Sequence, residues 1–336
     1  MGGSEAQADG AFRRPSPRGS RGWVMGGLAR FDELGILGAF LVICTILTFT
    51  TDDKFLRAAN LLSVSRQASY YGIMAVGMVF VISMGDVDLS VGSILTLVNV
   101  GMALALEAGQ SLLLAMILGL FIGAACGFTN GALSVALRIP TIIVTLGTLS
   151  VFRGLALVLA DGAPVSDYDK DTWFFQIGGG TVLGVPSSVW GMILVGVLGF
   201  LLYNHTVFGQ RVQAIGSNIQ AARFSGIPIA HYRLLVMTLM GVIAALAGIF
   251  SLAFLGAGDP QTGPGLELSV IAAAIIGGTA LTGGVGSIFG AIIGALIIAV
   301  IRNGLILVGV SAYWSIAATG LVIIAAVTVD YLIKRR

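Results

Sequence analysis

MGDVDLSVGS, residues Met84 to Ser93, places two carboxylates, Asp86 and Asp88, between two long runs that carry no charge. The run before it reaches back to Gln67 and the run after it extends from Leu89 to Leu106. Each is long enough for one membrane-crossing helix, which needs about 20 mostly apolar residues. Inside lipid every backbone amide must pair within its own element, so such runs are read as helices. The pattern repeats outward in charge-free gaps at Leu34–Thr51, Ala108–Leu137, Thr172–Gln210, Leu234–Gly258, Leu268–Ile301 and Asn303–Val329.

Composition agrees with this reading. The 336 residues are 57% hydrophobic and 10% charged, against about 45–50% and 25% in a soluble domain. A net charge of +2 excludes a basic nucleic-acid-binding surface, and apolar residues along nearly the whole chain exclude disorder. Cys44 and Cys126 lie inside apolar runs and form neither a disulfide framework nor a zinc site.

The fold class expected is an all-α polytopic membrane bundle of about ten spans. The first five are Leu34–Thr50, Ala68–Met84, Val91–Leu106, Leu112–Ala136 and Thr141–Ala160. The others are Val189–Tyr203, Leu234–Leu255, Leu268–Leu281, Ile288–Ile301 and Ala312–Tyr331, with the eighth and ninth split at the glycine-rich stretch near Thr282.

Basic residues set the orientation. Arg13, Arg14, Arg18, Arg21 and Arg30 precede the first span and Lys334, Arg335 and Arg336 follow the last, so both termini are expected in the cytoplasm. The acidic loop 161–188 then falls outside, and the loop 204–233, with Arg211, Arg223 and Arg233, falls inside. Residues 1–33 read as a disordered tail, 34–331 as the membrane domain and 332–336 as a basic terminus; no small-residue cleavage site follows the first apolar run.

Forty-eight glycines give several helices a flat face: Gly119, Gly123, Gly127 and Gly131 in the fourth span, and Gly286, Gly290 and Gly294 opening the ninth. Small residues at that spacing let lipid-embedded backbones approach, within one subunit or between two.

Asp86 and Asp88 have two readings. They cap a discontinuous helix, with Asp88 or Ser90 accepting from amides freed at the third span, or they line a translocation path together with Ser90 and Ser93. Asn99, Asn130, Asn303 and Thr145 are further candidates for solute contact or for bonds across helices. A second Val-Gly-Ser-Ile at Val285–Ile288 echoes Val91–Ile94 after a similar break.

In the loop 204–233, Ser217 or Asn218 can cap a short helix over Ile219–Ser225, which Gly226 ends. A helix that short needs a partner to dock on. None of the three lysines follows a glycine, so the chain has no P-loop for ATP. His205 and His231 have no carboxylate or cysteine cluster beside them, so neither a metal site nor a catalytic group is expected and the chain is read as no enzyme.

Gly85–Ser93 resembles the Gly-Gly-Ile-Asp-Leu-Ser-Val-Gly-Ser signature of ribose-type sugar permeases of ATP-binding-cassette (ABC) transporters. Further agreement lies in Asn60-Leu61-Leu62, Gly72–Met78, Val144–Thr148, Arg153-Gly154-Leu155, Ala214–Asn218 with Ser225–Ile227, Ile276–Thr279 and Gly283–Ser287. The resemblance covers about Phe55 to Arg336 and departs from the signature at Asp86, where the family has glycine. It implies the larger-importer permease fold in a bacterial inner membrane, a second permease subunit (a homodimer by default), a cytoplasmic ATPase that uses ATP and magnesium, and an external binding protein delivering a monosaccharide. It also implies that Gly216, Asn218, Ala222, Arg223, Ser225 and Gly226 form the ATPase-coupling element. The alternatives are a branched-chain amino acid permease of the same architecture, or a self-sufficient carrier using Asp86 or Asp88.

Overall fold

The computed structural model describes residues 21–311 and scattered positions between 314 and 328, with side chains from residue 35 onward. Eleven α-helices follow one another among them: α1 (Arg21–Thr50), α2 (Ala58–Ser83), α3 (Val91–Glu107), α4 (Leu112–Leu137), α5 (Thr141–Leu159), α6 (Ser187–His205), α7 (Val207–Ser217), α8 (Ile219–Phe224), α9 (Ile229–Leu255), α10 (Leu266–Ile276) and α11 (Ile288–Leu307). Helices α1–α6 and α9–α11 overlap the first nine expected spans. The tenth, Ala312–Tyr331, lies largely outside the described residues, as do residues 1–20 of the expected tail. Helix α1 begins at Arg21, inside that tail.

Helix ends follow local chemistry. Ser111 Oγ accepts from the Leu114 amide to open α4, and Arg138 in the left-handed region (φ 57°) closes it. Two charges that were expected to bound spans sit inside helices instead. Arg66 lies within α2, its guanidinium 3.9 Å above the Phe254 ring, and Arg302 lies within α11, donating to Tyr71 Oη. Each charge finds an aromatic partner, so neither ends its helix.

Helix α10 has 11 residues, about 16 Å at 1.5 Å per residue, half of the hydrocarbon thickness. Gly277 ends it, and α10 with α11 forms a broken segment around residues 277–287. Among the described residues five helices are long and apolar enough to cross a membrane, namely α4, α5, α6, α9 and α11, while Gly35–Thr50, α3 and α10 are shorter apolar helices.

Helix α2 is buried continuously from Tyr71 to Ser83 and forms the centre of the bundle. Helices α6, α9, α10 and α11 surround it, and Tyr71, Met74, Met78 and Phe80 fill the core. Helices α4, α5 and α6 expose large apolar side chains such as Phe121, Leu146, Val158 and Leu194 on the periphery, a lipid-like surface. Cys126 is buried on α4 and Cys44 half-buried on α1.

The glycine faces are used within the chain. A Cβ at Gly123 would press on the Gly241 carbonyl, and one at Gly127 would overlap the Met237 carbonyl, so α4 and α9 touch backbone to backbone. Gly119 meets Met102 of α3, and Gly131 meets Leu234. Gly290 and Gly294 press against the Gly277 and Ala273 carbonyls of the α10 segment, and Gly286 meets Val79 and Ser83 of α2.

The loop 161–188 carries a π-helical turn (Phe174–Gly178) and a two-residue hairpin, Thr181–Val182 with Val185–Pro186. Val165 and Gly258 exchange backbone hydrogen bonds of 3.0 and 2.8 Å, tying this loop to the end of α9.

Candidate functional site

Three places draw the candidate residues together. The first is the break between α2 and α3. Gly85 takes φ 87°, the left-handed turn that lets the chain leave α2. Asp86 is not among the positive-φ residues, so a side chain is accommodated there without backbone strain. Its carboxylate is 8% exposed and grips Arg233, with Nε donating to Oδ2 at 2.8 Å and Nη2 to Oδ1 at 3.3 Å. Thr141 Oγ donates to the same Oδ1 at 2.9 Å.

Asp88 is fully buried and ends a relay in which every donor points one way. Thr148 Oγ donates to Asn130 Oδ1 (2.6 Å), Asn130 Nδ2 to Ser90 Oγ (2.8 Å), and Ser90 Oγ to Asp88 Oδ1 (2.7 Å). The Ser90 amide donates to Asp88 Oδ1 at 2.8 Å, an aspartate bonding backbone two residues on. Thr145 Oγ donates to the Val87 carbonyl at 3.3 Å. The break is therefore held by α4 and α5 as well as by its own turn. Asp86, Asp88, Ser90, Asn130 and Thr145 share this site; Ser93 is buried on the first turn of α3. Asn99 is buried farther along α3, with neither amide atom hydrogen-bonded.

The second place is a cavity of about 560 Å³, within the 300–1,000 Å³ usual for small-molecule sites. It opens between the first half of α2 and the ends of α9 and α11. Ser63, Arg66, Gln67, Tyr70, Ser251 and Asn303 supply its polar groups, and Phe254 supplies an aromatic face. Tyr70 Oη is buried there without a hydrogen-bond partner. Asn303 is the one candidate of the expected path set that reaches it, paired reciprocally with Asn60 at 3.1 and 2.8 Å. Sequence reasoning missed Arg66, Gln67 and Tyr70. The available signal was polar residues at Ser63, Gln67 and Tyr70, spaced to share one face of α2.

The third place is the α7–α8 corner. Asn218 Oδ1 accepts from the Ala221 amide at 3.0 Å to open α8, and Gly226 at φ 77° follows its end. Helix α7 was not foreseen; Thr206 Oγ caps it by accepting from the Gly209 amide at 3.3 Å. Gly216 and Ala222 face inward. Ala222 is buried, and a Cβ at Gly216 would overlap the Ser83 carbonyl and crowd the Gly284 amide. Those two groups are themselves bonded at 2.8 Å, so the corner, the end of α2 and the 277–287 break meet at one point. Arg223, Ser225 and Gly226 are exposed, and Phe224 is 90% exposed.

The sequence pattern of the family described as "Branched-chain amino acid transport system / permease component" matches residues 60–327. The ribose import permease protein of Bacillus subtilis (strain 168) is 40% identical over 300 residues, covering 89% of this chain and 92% of that protein. The L-arabinose ABC transporter permease protein of Azospirillum brasilense is 37% identical over 301 residues, covering 89% and 87%. The D-allose transport system permease protein of Escherichia coli (strain K12) is 37% identical over 306 residues, covering 91% and 93%. No solved structure matches. With the family pattern reaching across most of its length and relatives aligned almost end to end, the chain belongs to the ribose-type (monosaccharide) ABC transporter permease family and is a multi-pass membrane permease.

Proposed function

We propose that this chain is the membrane subunit of an ABC importer that carries a monosaccharide, pentose-like or closely related, into the cell. A separate cytoplasmic ATPase binds the ATP and magnesium, an external binding protein delivers the sugar, and a second copy of this permease completes the pore. Both termini face the cytoplasm, which puts α7 and α8 on the ATPase side and the cavity toward the binding protein. The relatives' names, ribose, arabinose and allose, support the substrate class.

The observation that carries this reading is α8. It is a six-residue helix, too short to persist alone, yet it is capped, anchored from beneath by Ala222 and left with Phe224 in the open. An exposed aromatic on a rigid support is the usual anchor of a protein interface. Phe224→Ala is expected to weaken retention of the ATPase by about thirtyfold, the equivalent of about 2 kcal/mol. Co-purification of the ATPase on a tagged permease checks it, and undiminished recovery overturns the assignment of α8.

The cavity suits a polyol, with hydroxyl, amide and guanidinium groups around one aromatic ring. Gln67→Ala and Tyr70→Phe each remove one hydrogen-bonding group. Each is expected to raise the KM for D-ribose uptake several-fold, about 1 kcal/mol per lost bond. Uptake of labelled D-ribose into proteoliposomes holding the full complex measures this. Uptake blocked by excess leucine and not by sugars overturns the sugar reading in favour of a branched-chain amino acid. Uphill uptake by the permease alone overturns it in favour of a self-sufficient carrier.

A further inference from the structure

Helix α8 is fastened on both flanks, and each flank ends on one of the two broken segments. Upstream, Gly216 and Ser217 lie against Ser83, Gly283 and Gly284, where α2 ends and the 277–287 break turns. Downstream, Arg233 on α9 reaches Asp86 in the α2–α3 break. Between the flanks, α7 and α9 are tied together: Arg211 Nη1 donates to Tyr232 Oη at 2.8 Å, and the Tyr232 ring stacks on Phe208 with centroids 5.7 Å apart. Helices α7, α8 and the start of α9 therefore form one body. Its grip on the α2–α3 break is a two-pronged ion pair, with Asp86 buried and Arg233 half-buried.

We propose that the Asp86–Arg233 pair is a latch through which movement of α8 is transmitted to the start of α3. The inference rests on the reading of α8 as the ATPase contact. Asp86 stands two residues before Asp88, whose hydrogen bonds hold the first turn of α3 to α4 and, through Thr148, to α5. A displacement of Arg233 pulls on that turn through a single carboxylate. The two-pronged guanidinium–carboxylate geometry of this partly buried pair fixes the relative placement of its partners more than it adds net stability, which is what a transmitting contact requires. The latch also accounts for Asp86 at a position where the resembling signature has glycine. Backbone conformation does not call for the change, since Asp86 has no positive φ, whereas Arg233 calls for a carboxylate. In the latch Asp86 and Arg233 act as positioning residues.

The test uses the complete complex with its ATPase and binding protein in proteoliposomes. D-ribose uptake and ATP hydrolysis are measured for Asp86→Asn, Arg233→Gln, the double variant and Arg233→Lys. In each single variant the sugar carried per ATP should fall about tenfold, within the range for a coupling between sites, while ATP hydrolysis continues. The double variant should be no worse than either single, and Arg233→Lys should recover part of the loss. Unchanged ratios, losses that multiply in the double variant, or hydrolysis falling in step with uptake would overturn the latch.

A second readout needs no identified sugar. Spin labels at Ser225→Cys and Leu89→Cys should keep their separation when ATP and vanadate are added to the wild-type background, and lose it with Asp86→Asn. Labels that separate in both backgrounds overturn the latch and leave α8 as the docking element. Failure of the ATPase to bind at all overturns the reading of α8 and the latch with it.

Discussion

Gly127→Val is expected to remove most folded permease from the membrane fraction. Helices α4 and α9 approach so closely that a Cβ at Gly127 would overlap the Met237 carbonyl and touch the Thr238 Cα, both rigid backbone. No side-chain rotation relieves such a contact, so the helices must part. Separation costs dispersion along the whole seam formed by Gly123, Gly127 and Gly241, where no hydrophobic drive replaces it. Overpacking of this kind typically costs about 1–3 kcal/mol when the neighbours can shift, so a cost of about 3 kcal/mol or more is expected where they cannot. Gly147→Val and Gly154→Val on α5 provide the contrast, since open space surrounds both positions, and they should melt like the parent. Size-exclusion profiles and melting curves of detergent-solubilised chains check all three. Equal behaviour on α4 and α5 would show that the α4–α9 seam is not under this constraint.

Asn130→Leu should be nearly as damaging for a different reason. Asn130 is the middle link of the relay from Thr148 to Asp88 and is fully buried. Leucine fills a similar volume but leaves Ser90 Oγ without its donor and Thr148 Oγ without its best acceptor. Each buried polar group stranded in this way costs about 1–3 kcal/mol, so a loss of about 3 kcal/mol is expected. Thr148→Val removes only the outer end of the relay and should cost about 1 kcal/mol. Melting temperatures of the two variants distinguish the case, and similar values for both would mean that the relay does not act as a connected chain.

How far these features were legible in the sequence depends on the range of the interactions that set them. Long charge-free gaps located nine helices, because exclusion of charge from lipid is a local property of the chain. The start of α2 and the end of α11 were misplaced at Arg66 and Arg302, whose aromatic partners Phe254 and Tyr71 lie on other helices. The cap at Asn218 was legible because it bonds three residues away. The role of Asp86 was not, because its partner Arg233 is 147 positions along the chain. The capping role expected of Asp88 or Ser90 takes another form: no side-chain cap bond opens α3 at Ser90, and Asp88 instead accepts from the Ser90 amide in a local turn that Asn130 reinforces. The cavity was hidden for a related reason: its polar groups are spread over α2, α9 and α11 and converge only when those helices pack.

The placement of the two cysteines has a practical consequence. A thiol reacts with water-borne reagents as its thiolate, and both native thiols sit on apolar helices, Cys126 buried and Cys44 half-buried. The natural chain is thus expected to react little with hydrophilic maleimides, least of all at Cys126. A cysteine placed on a wetted surface becomes its one readily addressed chemical handle, so optical or magnetic reporters can follow the transport cycle without first stripping the protein of its own sulfur.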